Sequence, residues 1–239
     1  MSYIKESTLD RMIQKQIKYW ESYRKILEKE PEKPRPFLTI SRSYGCNALE
    51  IAAKIAHELN RYEKTDQWNV YDKELIDKIV EDHKISQKLI QTIDTKKRAE
   101  MNELLRTMIT DYPPQVTVYK KLVQTIRSLS IHGRAIIVGR AGAVITRDLK
   151  YGMHIKLVAP ISYRTKQIME LNKIRDKFRA EKLVLKKDRE RHDFLTQYVR
   201  FQAYNPESYD LTINVSRFSD NEISAIIIGA MKAKKLLPS

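Results

Sequence analysis

At 239 residues, with 42% hydrophobic and 31% charged side chains, the chain has a globular composition and the length to bury a sizeable core. No apolar run approaches the roughly 20 residues that span a bilayer, and a single cysteine, Cys46, excludes an internal disulfide framework and argues against a cysteine-based zinc site. The net charge of +15 attracts polyanions, whether nucleotides, nucleic acid or an acidic membrane surface.

The first ten residues carry neither the apolar h-region nor the small-residue cleavage site of a signal peptide, so a cytoplasmic protein is expected. Residues 8–30 read as an amphipathic helix, with Met12, Ile13, Ile17, Trp20 and Leu27 near helical spacing. Pro31, Pro34 and Pro36 then form a stiff connector that cannot continue it. Residues 1–36 are therefore expected as an appendage, which packs on the core or pairs with a second copy. The main domain is expected over residues 37–239.

That domain opens on an apolar strand, residues 37–40, placed directly before a turn-like segment, 41–48. Residues 49–60 carry Ile51, Ala52, Ile55, Ala56 and Leu59 on one helical face. A second strand is predicted over 68–71, then helices over 73–82, 86–92, 97–110 and 115–131. Residues 135–138 form a buried-type strand ended by Gly139, and 153–158 another, stopped by Ala159 and Pro160. Helices over 162–175 and 179–200, a strand over 211–215 and a helix over 221–236 complete the chain. Strands alternating with helices need crossover connections, so the fold class is α/β, a mainly parallel sheet with helices on both faces.

Strand, loop and helix in that order make a phosphate-holding element, because backbone N–H groups and the helix dipole face the anion. Residues 40–52 have this placement, although an ordinary βα turn has it too. Further segments extend the pattern: Thr39-Ile-Ser-Arg-Ser-Tyr-Gly45 with Glu50-Ile-Ala52, Val70-Tyr-Asp-Lys-Glu-Leu-Ile76, and Ile136-Ile-Val-Gly-Arg-Ala-Gly142. Ala159-Pro-Ile-Ser-Tyr-Arg164, Lys187-Asp-Arg-Glu-Arg191 and Tyr209-Asp-Leu-Thr-Ile-Asn-Val-Ser-Arg217 follow. In this order they resemble the motifs of the cytidylate-kinase-like family. The resemblance implies a three-layer P-loop fold of the nucleoside monophosphate kinase type, with a helical insertion and a lid. It also implies transfer of the γ-phosphoryl group of ATP, with Mg2+, to a nucleoside monophosphate such as CMP. Such catalysis is mostly positioning and neutralisation of spread negative charge.

By the same resemblance, Arg42, Ser43, Tyr44, Gly45, Cys46, Asn47 and Ala48 form the nucleotide-binding loop. Asp72, Gly139 and Arg140 would hold the acceptor, and Arg140, Arg164, Arg189 and Arg191 would neutralise the phosphoryl group. Each residue also has a plainer reading. Arg140 fits a surface arginine after a strand, and Arg189 and Arg191 fit an exposed basic helix face. Arg164 fits a structural ion pair, Asp72 a helix N-cap, and Asp210 a strand-entry residue. Cys46 reads as a small filler ahead of a thiolate. The histidines lack metal-ligand spacing, so no metal site is expected, and His132 and His154 read as structural.

The loop departs from a working P-loop at Cys46-Asn-Ala-Leu49, which has no glycine and no basic side chain. Val138 offers no carboxylate beside Gly139 and Arg140 to organise magnesium. Two function classes stay open: a phosphotransferase with an unorthodox loop, and a kinase-fold protein that senses a nucleotide or acts as a scaffold without catalysis. A non-specific nucleic-acid binder ranks third, resting on charge without stacking motifs. A nucleotide is the expected partner.

Overall fold

Five short segments build the sheet, and the inner ones, above all Ala135-Ile-Ile-Val138 and Phe37-Leu-Thr-Ile40, are buried along their length, as a sheet covered on both faces demands. The computed structural model describes residues 13–14, 17–18, 35–61, 67–91, 93, 95–109, 116–199 and 205–238. The strands are β1 (Phe37–Arg42), β2 (Asn69–Tyr71), β3 (Ala135–Val138), β4 (Gly152–Val158) and β5 (Leu211–Asn214), in the order β2-β3-β1-β4-β5. The central strand β1 pairs in parallel with β3 and with β4, with Ile40 beside Val138 and Ser41 beside Lys156. The expected α/β fold is the one found.

The helices are α1 (Ala48–Asn60), α2 (Lys73–Glu81), α3 (His83–Gln91), α4 (Thr95–Ile109), α5 (Val116–His132), α6 (Gly142–Ile145), α7 (Ile161–Asn172), α8 (Lys177–Val199) and α9 (Asp220–Ala233). The chain divides into two compact units, Met1–Arg35 with Tyr71–Gly133 and Pro36–Val70 with Arg134–Ser239. The N-terminal residues thus group with the helical insertion. Of the predicted N-terminal helix, Ile13 and Ile17 are helical and buried, one helical turn apart. Met12, Trp20 and Leu27 lie outside the described residues.

In the sheet-bearing unit, Leu38, Ile40, Ile136 and Val138 share a core with Ile51 and Ile55 of α1 and Ile223 and Ile227 of α9. The alternate face of β1 carries Thr39, which meets the α6 residue Gly142 and hydrogen-bonds the buried His154 ring at 2.8 Å. Helix α9 starts on a capping box in which Ser219 and Glu222 bond each other's backbone N–H. Asp210 is the strand-entry residue that the sequence suggested. Its carboxylate accepts from His154 N at 2.7 Å and from Lys234 Nζ at 2.6 Å, tying β4, β5 and the end of α9 together.

In the helical unit, α2 buries Leu75, Ile76, Ile79 and Val80, two pairs one turn apart. Asp72 is its N-cap, accepting from Leu75 N at 2.8 Å. His132, the last residue of α5, is buried, and burial first, then the Arg35 charge, holds its pKa down from 6.5 to about 3. A depressed histidine stays neutral in the folded chain while the unfolded chain takes up a proton. Its contribution is therefore intact above pH 6.5 and is lost as pH falls toward about 3. The expected loss approaches about 1.4 kcal/mol per pH unit within that window. Urea melts at pH 7 and pH 5 should show it, and His132→Gln should remove most of it. An unchanged pH dependence in the variant would contradict the assignment.

Candidate functional site

The loop between β1 and α1 is a tight turn closed by Cys46 N donating to Ser43 O at 3.2 Å, with Gly45 in the left-handed region at φ +89°. A Cβ at Gly45 would also stand 2.8 Å from the Arg164 carbonyl oxygen, so this glycine answers both backbone and packing. Asn47 occupies the N-cap of α1, yet its side chain makes no cap bond and instead donates to Glu50. Leu49 points out, 47% exposed. The loop reaches the carboxyl edge of the central strand, where open α/β sheets bind their ligands.

One carboxylate organises what surrounds it. Asp188, on α8, accepts from the Tyr44 backbone N–H at 2.7 Å and from Arg164 Nη1 at 2.5 Å. Both partners are largely shielded, with side-chain exposures of 11% for Arg164 and 19% for Asp188. Arg164 also donates to Tyr44 O at 3.1 Å and to Ala159 O at 3.0 Å, which pins the start of α7 against the loop. Three residues further along α8, Arg191 reaches Arg42 O at 3.4 Å and lies over the Tyr44 ring, 5.1 Å from its centroid. From β4, Lys156 stands 5.6 Å over the Tyr209 ring. Burial pushes its pKa down while the Asp188 charge pulls it back up. Arg191 shows the same opposition of burial and Asp188.

On the other side of β1, Gly139, Arg140 and Ala141 follow one another with φ of +84°, +52° and +57°. Such backbone costs roughly 1–3 kcal/mol per non-glycine residue, is held only by the structure around it, and clusters at functional sites. The Arg42 guanidinium lies where a Gly139 Cβ would be, its Cζ 3.0 Å from that point. Glycine here makes room for an arginine. Arg140 is part-buried, and burial lowers its pKa, although a guanidinium stays cationic.

Arg42, Ser43, Tyr44, Gly45, Cys46, Arg164 and Arg191 are thus brought together, with Gly139 and Arg140 beside Arg42 on the same unit. Asn47 and Ala48 form the helix start, one exposed and one buried. Arg189 is exposed on α8, turned away from the Asp188–Arg191 face. Asp72 belongs to the helical unit, as the cap of α2. Sequence reasoning missed Asp188 and Lys156. Asp188 sat in a charged run that read as solvated surface. Lys156 interrupts an apolar strand, a signal that was legible.

Residues 37–217 match the Cytidylate kinase-like family. The chain belongs to that family. No curated protein matches its sequence. Among solved structures, an uncharacterized protein from Eubacterium ventriosum is similar with a TM-score of 0.64 at 19% identity, over 83% of this chain and 99% of that one. Shikimate kinase from Bacteroides thetaiotaomicron gives a TM-score of 0.46 at 9% identity, over 82% and 98%.

In this cytidylate-kinase-like chain the loop cysteine is shielded from solvent. Cys46 is buried, and burial pushes its thiol up to about 11. Both observations favour a small filler over a thiolate. Thiol titration at pH 7.5 should leave the native chain unmodified and label Cys46 fully in denaturant. Rapid labelling of the folded chain would contradict the geometry.

Proposed function

We propose that this protein is a nucleoside monophosphate kinase-like phosphotransferase, acting with ATP on a nucleoside monophosphate such as CMP, in which a substrate phosphate replaces the Asp188 carboxylate. The observation that carries this reading is the convergence on Asp188 of a loop N–H and the side chain of Arg164, with Lys156 and Arg191 acting on the same charge. A carboxylate and a phosphate oxygen ask for the same partners, namely guanidinium forks and backbone N–H groups. With Arg42 and Arg140 at the neighbouring strand end, these groups would neutralise charge on the transferring phosphoryl group. Among the described residues no cluster of three or more metal-ligating side chains occurs. Mg2+ is bound in such sites largely by substrate phosphates and water, and it would supply charge neutralisation alongside the arginines.

A second reading, a nucleotide sensor or scaffold without turnover, draws on the loop itself. The N–H groups of Ser43, Tyr44 and Cys46 are already used, by Leu157 O, Asp188 and Ser43 O. Glu50 also places a negative charge at the start of α1.

A coupled assay with CMP, ATP and Mg2+, together with calorimetry, separates the two. The enzyme reading expects slow native turnover that Arg140→Ala lowers by about a hundredfold or more. Nucleotide binding without turnover selects the sensor. Robust turnover that survives Arg140→Ala would place the chemistry elsewhere.

A further inference from the structure

A lysine inside a buried strand asks for an explanation. Residues 153–158 read Met-His-Ile-Lys-Leu-Val, and four of the six are apolar. Lys156 pairs with Ser41 on the central strand, at the edge where the loop begins. Moving an ammonium out of water is costly without a counter-charge. The Asp188 carboxylate acts on both Lys156 and Cys46, set among Arg42, Arg164 and Arg191. Asp188 is also the group bound to the Tyr44 N–H. The carboxylate therefore marks the point to which the loop, α7, α8 and β4 direct positive charge.

The loop lacks the basic side chain that a P-loop sends from its helix start toward the β- and γ-phosphates. Its residues 46–49 are Cys, Asn, Ala and Leu. We propose that Lys156 is a phosphate-binding residue of this site, supplying from strand β4 the charge that the loop omits, with a nucleoside triphosphate as its ligand. The inference rests on the nucleotide reading above and adds a residue to it. A lysine on a sheet strand is held more rigidly than one on a loop. It approaches the anion from the floor of the site, with Arg164 and Arg191 approaching from the helices. The Tyr209 ring under Lys156 Nζ steers the ammonium without neutralising it.

The test measures ATP·Mg2+ affinity by calorimetry for the full chain, Lys156→Met and Lys156→Arg, with ligand-free melting curves for each. Loss of a charge-assisted contact should weaken Lys156→Met about tenfold or more, with Lys156→Arg recovering most of that loss. If Lys156→Met does not fold, amine acylation of the wild-type chain, mapped by mass spectrometry, gives the same information. ATP·Mg2+ should then slow modification of Lys156 several-fold relative to Lys54, an exposed lysine of α1 that reaches Asp220 at the start of α9. Wild-type affinity retained in Lys156→Met, or acylation unchanged by ATP, would overturn the role of Lys156 and leave the nucleotide reading standing. Equal weakening in Lys156→Met and Lys156→Arg at equal melting temperature would assign Lys156 to packing. A wild-type chain that binds neither ATP nor CMP would sink the nucleotide reading and this inference with it.

Discussion

Asp188 joins segments that the chain separates widely, since it lies 144 residues from Tyr44 and 24 from Arg164. Its two short bonds anchor α8 to the loop and to the start of α7. A carboxylate so placed cannot be removed lightly. Breaking one partner of a shielded ion pair leaves the other charge buried, at a cost of about 3–5 kcal/mol. The loop side of the sheet edge follows from this contact. Gly45 must be glycine because Arg164 presses on it, and Arg164 is there because Asp188 and the Tyr44 carbonyl hold it.

On the proposed reading, the same contact lets a loop without glycine-rich wrapping take part in an anion site. In a P-loop the backbone itself encloses the phosphate. Here the N–H groups of Ser43, Tyr44 and Cys46 are spent within the protein, and cationic side chains come from the strands and helices instead. A phosphate bound at this site gains from cations already oriented, which limits the reorganisation needed on binding. It also competes with an internal carboxylate held by the same donors. Under the proposal, low basal nucleotide affinity is the expected consequence of such a closed arrangement.

Much of the fold was legible because hydrophobic period and strand–helix alternation are local signals. The strands at 37–40, 135–138 and 211–215 and the helix at 49–60 lie within a residue or two of the observed elements. The turn of helix at Gly142–Ile145 was missed, since four residues carry no period and the cap is a left-handed Ala141. The end of α7 falls on Lys173 with φ +53°, a conformation that glycine would have announced and lysine does not. The site was legible only in part. Arg42, Arg164 and Arg191 sit in ordered motifs, but the position of Asp188 depends on how α8 folds back, which no spacing encodes. On α8, 100° of helical rotation per residue decides which arginine matters, and it favours Arg191 over Arg189.

The central claim is that a ligand phosphate and the Asp188 carboxylate occupy one position in turn. A crystal structure of the chain with CMP, ADP and Mg2+ tests it most directly. The account predicts a phosphate group accepting from the Tyr44 N–H and from Arg164, with Asp188 displaced from both. Nucleotide bound at another place, with the Asp188 contacts to Tyr44 and Arg164 intact, would contradict it.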